Sequence, residues 1–154
     1  DPRAELRFAD AIGYMATADA GSFDVILVDS TDPYGPAEGL FGPDFIADCH
    51  RVLGDDGIMA QQSESPLIHP HLIAGIRNNM QSAGFGDMRT LGFPQPCYPS
   101  GYWSVTLARK GPRPLNEFRE HGDEFPTRYY TAGIHRGALS EPPFLHEGLK
   151  RFRI

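Results

Sequence analysis

The sequence predicts an α/β fold with a mostly parallel sheet. Residues 23–28, FDVILV, form a near-continuous apolar run, the pattern of a strand buried on both faces. Residues 43–53 and 70–83 carry apolar side chains at helical spacing, and each stretch is bounded by Pro and Gly. Strand-like and helix-like segments alternate up to residue 83, as in parallel α/β sheets.

Taken in order, residues 5–9 alternate loosely and predict a short strand. Residues 11–18 predict a short helix, closed by Asp19-Ala20-Gly21-Ser22. The strand at 23–28 follows. In the helix at 43–53, Phe45, Ile46, Cys49, Val52 and Leu53 share one face, and Gly54-Asp55-Asp56-Gly57 ends it. Residues 58–61 predict another short strand. Residues 70–83 give the clearest helix: Pro70 opens it, Leu72, Ile73, Ile76 and Met80 recur along one side, and Gly84 closes it. Residues 88–93 and 103–108 predict a closing pair of strands joined by the loop 94–102. Residues 109–125 are polar and broken by Pro112 and Pro114. Residues 126–154 mix aromatic and turn residues, with one short helix expected near 143–151.

A chain of 154 residues with 40% hydrophobic and 22% charged content has the composition of one globular domain. The net charge of -6 argues against nucleic acid, which requires a basic face. No apolar run is long enough to span a membrane. Cys49 and Cys97 lack metal-type spacing and read as reduced thiols, which points to the cytoplasm. The chain opens at Asp1 with neither an initiator Met nor a leader, and is expected to begin inside a longer unit.

Ligands of such sheets bind beyond the carboxyl ends of the strands. Asp10 and Asp29 each follow an expected strand, and Gln62 and Glu64 follow the next. Three carboxylates on one rim, Asp29, Asp32 and Glu64, repel one another unless a cation joins them. A metal ion with oxygen ligands or an organic polycation would each serve. The Asp-Ser-Thr-Asp spacing at 29–32 does not match a calcium loop. Tyr98 and Trp103 add flat walls suited to an alkyl chain or an ammonium group. Together these describe a slot for a diamine better than a metal cage. The competing reading makes each Asp a helix cap or turn residue, with Asp32-Pro33 and Gly35-Pro36 a rigid turn. His69 and His71 read as surface histidines without a third ligand. Cys49 reads as core, His135 as a packing residue of the tail, and Arg109-Lys110 as a solvated strand end.

The segment FDVILVDSTDPYGPAEGLF, residues 23–41, closely resembles the signature of the spermidine synthases, the polyamine aminopropyltransferases. QSE at 62–64, CYPSGYW at 97–103, and RYYTAGIHRGAL at 128–139 followed by PPF resemble further segments of that family, in the same order. The resemblance implies a Rossmann-like class I methyltransferase-type sheet. Residues 1–110 would be the second half of the catalytic domain, and residues 111–154 a carboxyl-terminal extension packed on it. It implies transfer of an aminopropyl group from decarboxylated S-adenosylmethionine, the co-substrate, to putrescine, with no prosthetic group and no metal. Asp29 matches the base. Asp32, Gln62, Glu64, Tyr98 and Trp103 would line the polyamine slot. Asp10, Ala11, Pro36 and Ala37 match positions around the adenine.

Cys97, Tyr34 and Ala11-Ile12 depart from the family pattern without removing a catalytic group. The larger departure is the donor's glycine-rich loop, which is not found in these residues. The first strand is therefore expected to present a bare apolar edge. The chain is expected to need an amino-terminal half or another copy of itself, and the whole enzyme to be a homo-oligomer. Two rival functions stay open: transfer to another polyamine acceptor, and a non-catalytic polyamine-binding or assembly subunit.

Overall fold

In the computed structural model, residues 1–117 and 126–152 are described. Residues 118–125, the end of the broken polar stretch expected at 109–125, lie outside the described residues.

Asp10 opens the first helix, α1 (Ala11–Thr17), by accepting the backbone N–H groups of Ile12 and Gly13. Strand β1 (Phe23–Val28) leads into a 3-10 helix (Gly35–Phe41) and α2 (Pro43–Val52), with Gly42 and Pro43 at the helix start. Strand β2 (Leu53–Gln62) begins where α2 ends. The next helix, α3 (Pro70–Ala83), stops at Gly84, whose φ of 99° lies in the left-handed region. Strands β3 (Asp87–Pro94) and β4 (Tyr102–Arg109) follow, then α4 (Ala132–Ala138) and α5 (Pro143–Phe152).

The sheet order is β1-β2-β4-β3. β1 and β2 pair in parallel, and β4 lies antiparallel between β2 and β3, so β3 points the same way as β1 and β2. Three of the four described strands therefore share one direction, as a mostly parallel sheet requires, and the closing pair β3 and β4 is antiparallel as expected.

One face of the sheet is covered. Ile46, Cys49, Val52, Met59, Ile76, Met80 and Ala108 form the main core between the sheet and helices α2 and α3. The far side of α3 packs Ile73 and Ala74 against Leu145 and Leu149 of α5. Glu141 locks this layer down, accepting from Arg77 Nη1 and from the Thr90 backbone N–H, both at 2.7 Å.

The other face explains the largest correction. Successive side chains of a strand alternate between faces. Ile26 and Val28 of β1 pack on the core, whereas Val25 and Leu27 are 53% and 75% exposed. The strand is therefore covered on one face, not two, and it forms an outer edge of the described sheet.

Residues 5–9 form no strand, because no neighbouring strand pairs with them among the described residues; Leu6 and Phe8 stand exposed. The bare edge expected of that segment belongs to β1 instead. Arg109 is not solvated either. It is buried, and its Nη1 meets Asp56 Oδ1 at 2.9 Å, while Lys110 Nζ donates to the Leu53 carbonyl at 2.7 Å. Helix α4 was not foreseen; its start is capped by Thr131.

Candidate active site

At the carboxyl ends of the parallel pair β1 and β2, over the uncovered face, lies a cavity of about 1050 Å³. Asp29, Asp32, Gln62, Glu64, Tyr98 and Trp103 all line it. The alternation of the strands decides which side chains reach it. On β2, Met59 points to the core while Ala60 and Gln62 line the cavity; on β4, Trp103 and Val105 line it while Ala108 faces the core.

Asp29 follows the last residue of β1 and is exposed at the mouth. The turn behind it is tight: the Tyr34 N–H donates to the Asp32 carbonyl at 2.7 Å, within the stretch Asp32-Pro33-Tyr34-Gly35-Pro36. That turn carries the Asp32 carboxylate to face Glu64. Two acidic groups are thus held on a stiff loop at the open end of the strand pair.

Glu64 is the most constrained acid. It is 2% exposed, and its φ of 67° is left-handed, a region L side chains seldom occupy. Such a conformation costs on the order of 1–3 kcal/mol and needs compensating bonds. The Glu64 N–H donates to Gln62 Oε1 at 2.9 Å, and Gln62 Nε2 donates to Glu64 Oε1 at 3.2 Å. Trp103 Nε1 also donates to Gln62 Oε1, at 3.2 Å.

The Glu64 carbonyl accepts from Ser104 Oγ at 2.8 Å. A hydroxyl has one proton. Ser104 therefore accepts from Ser63 at 2.9 Å, and Ser63 accepts from Thr106 at 2.9 Å. A buried row of three hydroxyls holds the carbonyl of the strained residue.

Burial pushes the Glu64 carboxyl above its ordinary value. The Gln62 hydrogen bond opposes this, the facing Asp32 carboxylate adds to it, and His69 draws it back down.

Part of the wall is aromatic. Tyr98 and Trp103 have ring centroids 4.7 Å apart at 45°. Their loop is tied down where Ser100, with φ of 73°, meets Ser65 Oγ at 2.7 Å.

His69 also lines the cavity, contrary to its reading as a surface residue. Its Nδ1 is 3.4 Å from Glu64 Oε2. The signal available in the sequence was the short span from Glu64 to the helix-opening Pro70, which leaves the chain little room to turn away. Asp10, Ala11, Pro36 and Ala37 do not line the cavity. Both Asp10 carboxylate oxygens are engaged in capping α1, and Ala37 is buried in the 3-10 helix. Among the described residues, no group of three or more His, Cys, Asp or Glu is arranged to hold a metal ion.

The fold and the position of this cavity define a Rossmann-like α/β protein of the methyltransferase type. A SAM dependent methyltransferase from Archaeoglobus fulgidus shares that fold at 12% identity and a TM-score of 0.53, over 71% of this chain and 69% of its own. The spermine/spermidine synthase domain matches residues 1–119, and the chain belongs to that family.

A polyamine aminopropyltransferase from Stenotrophomonas maltophilia (strain R551-3) is 56% identical over 153 residues, covering 97% of this chain and 54% of that protein. A crystal structure of spermidine synthase in complex with the transition state analogue AdoDATO superposes with a TM-score of 0.89 at 30% identity. It covers 98% of this chain and 52% of its own. The chain spans about half the length of the curated relatives it matches. No described helix is long and apolar enough to cross a membrane.

Proposed function

We propose that the protein takes part in aminopropyl transfer from decarboxylated S-adenosylmethionine to putrescine, giving spermidine and methylthioadenosine. The observation that carries this reading is the cavity itself. Three carboxylates, Asp29, Asp32 and Glu64, share a cavity with the paired rings of Tyr98 and Trp103 at the carboxyl ends of β1 and β2 in a member of the spermine/spermidine synthase family.

An alkyl amine is protonated at neutral pH and cannot attack while it holds that proton. Asp29, exposed at the mouth, first accepts that proton, and the lone pair so freed then forms the bond to the carbon beside the donor's sulfonium. The carbon–sulfur bond breaks, its electron pair passes to sulfur, and the leaving thioether is neutral. Asp32 and Glu64 hold the distal ammonium, so the distance from them to Asp29 selects the chain length. Tyr98 and Trp103 wall the alkyl chain and help exclude water. Gln62, with its carbonyl oxygen engaged by Trp103 and the Glu64 N–H, acts by holding Glu64 and Trp103 in place.

In this reading Asp10, Ala11, Pro36 and Ala37 border the adenine of the donor. The remainder of the donor site comes from an amino-terminal half or from another copy of the chain, in a homo-oligomer acting in the cytoplasm.

The deciding assay follows spermidine and methylthioadenosine formation by the intact protein and by Asp29→Asn. General base catalysis supplies roughly 10²–10⁴-fold, and a loss of that size is expected with folding unchanged. Undiminished turnover by Asp29→Asn would remove the carboxylate from the mechanism. Cadaverine, agmatine and spermidine in the same assay test the acceptor. Polyamine binding without turnover would favour a non-catalytic polyamine-binding subunit.

A further inference from the structure

His69 has no part in the proposed reaction, yet its surroundings are built. The Ile68 and His69 N–H groups both donate to the Ser65 carbonyl, at 3.2 and 2.8 Å, and Pro70 starts α3 at once. This turn brings the imidazole back to Glu64. Nδ1 is shielded from solvent, has no hydrogen-bond partner, and lies 3.4 Å from Glu64 Oε2. The other Glu64 oxygen is occupied by Gln62.

The titratable groups that share the cavity with His69 are Asp29, Asp32, Tyr34, Glu64 and Tyr98. On its own helix, the His71 ring lies 5.9 Å away, and His71 in turn meets Phe152 of α5. No lysine or arginine is among the described residues lining the cavity. His69 is therefore the one lining side chain there that can carry a positive charge, and it sits on the most buried of the carboxylates.

We propose that His69 is a specificity-determining residue of this cavity: its imidazolium competes with a substrate ammonium for the Glu64 carboxylate, so diamine binding strengthens as His69 loses its proton. The inference rests on the polyamine reading of the cavity. Its sign follows from the charges. Alkyl amines resemble lysine, which titrates near about 10.4, so a diamine stays doubly charged where an imidazole titrates, near about 6.5. The attraction between unit charges about 4 Å apart is several-fold stronger at a protein surface than in bulk water. An affinity gain of about fivefold is therefore expected between about pH 5.5 and 7.5, and of about tenfold between the fully protonated and the fully neutral imidazole. By linkage the effect is reciprocal: saturating putrescine lowers the titration midpoint of His69 by about one pH unit, the same tenfold factor.

The test is calorimetric titration of the intact protein with putrescine across that pH range. It compares wild type with His69→Gln, with His69→Asn, whose residue type suits the start of α3, and with His71→Gln. Both His69 variants should bind tighter than wild type at the acid end and converge with it at the alkaline end. His71→Gln should follow wild type. An NMR titration of the His69 ring in wild type, with and without putrescine, reads the reciprocal shift and needs no variant. Parallel curves for wild type and the His69 variants, or an unmoved His69 midpoint under saturating putrescine, would overturn the inference and leave the polyamine reading standing. Absence of putrescine binding by wild type at every pH would overturn both.

Discussion

The two faces of this sheet are made by the same strands and do opposite work. On the helix-covered face, Ile46, Met59 and Met80 are fully buried within the apolar core. On the other face, alternate residues of β2 and β4 lead to carboxylates, an amide and aromatic rings around a cavity. The covered face holds the fold together through hydrophobic burial. The open face gathers groups that raise the folding cost: a left-handed glutamate, its buried carboxyl, and a facing Asp32. Stability and chemistry are separated by the two-residue period of a strand, and the comparison can be broken from either side.

The largest effect should come from the open face. Asp29→Asn should remove activity by orders of magnitude without moving the unfolding midpoint, since Asp29 is exposed. The covered face should do the reverse. Met80→Ala should cost about 2–5 kcal/mol in urea unfolding, through lost burial and a residual cavity. If Met80→Ala left stability intact, the division between the faces would fail.

Ser104→Ala tests the support beneath Glu64. It leaves the strained carbonyl without its donor and should cost about 1–3 kcal/mol, with weaker diamine binding as Glu64 shifts.

Glu64→Gln sharpens the comparison through pH. The folded protein holds the Glu64 proton more tightly than the unfolded chain does. Stability from this group is therefore present below the ordinary value of 4.5 and is lost as pH rises through the folded value. Glu64→Gln should show a higher urea midpoint than wild type at neutral pH and no such gain below that ordinary value, while diamine binding weakens.

The smallest effect contrasts the two thiols. Cys49, in the core, has its thiol pushed up to about 12, first by burial and then by Asp48. Cys97 stands exposed beside Tyr98. Native protein should react with a maleimide at Cys97 and spare Cys49 until it unfolds. Cys97→Ser should change stability by no more than about 0.5 kcal/mol.

Helices 43–53 and 70–83 were legible because periodicity and end residues are local, and the structure places them at Pro43–Val52 and Pro70–Ala83. The paired closing strands were legible for the same reason. Asp10 marks the limit of such reading. An aspartate after an apolar stretch can cap a helix and border a ligand at once, so local pattern does not separate the two roles; here its oxygens cap α1. The apolar run of β1 misled about burial, since a strand's composition records what it can cover, not whether anything covers it.

Sequence by itself determined helices α2 and α3, the closing strand pair, and which residue types gather after the strands, because these depend on backbone sterics and side chains a few residues apart. Tertiary structure decided that β4 inserts between β2 and β3, that β1 keeps one face open, and that His69 rests on Glu64. Each of those outcomes is a choice of partner. Partners are selected by the free energy of the packed whole, which no local stretch of chain contains.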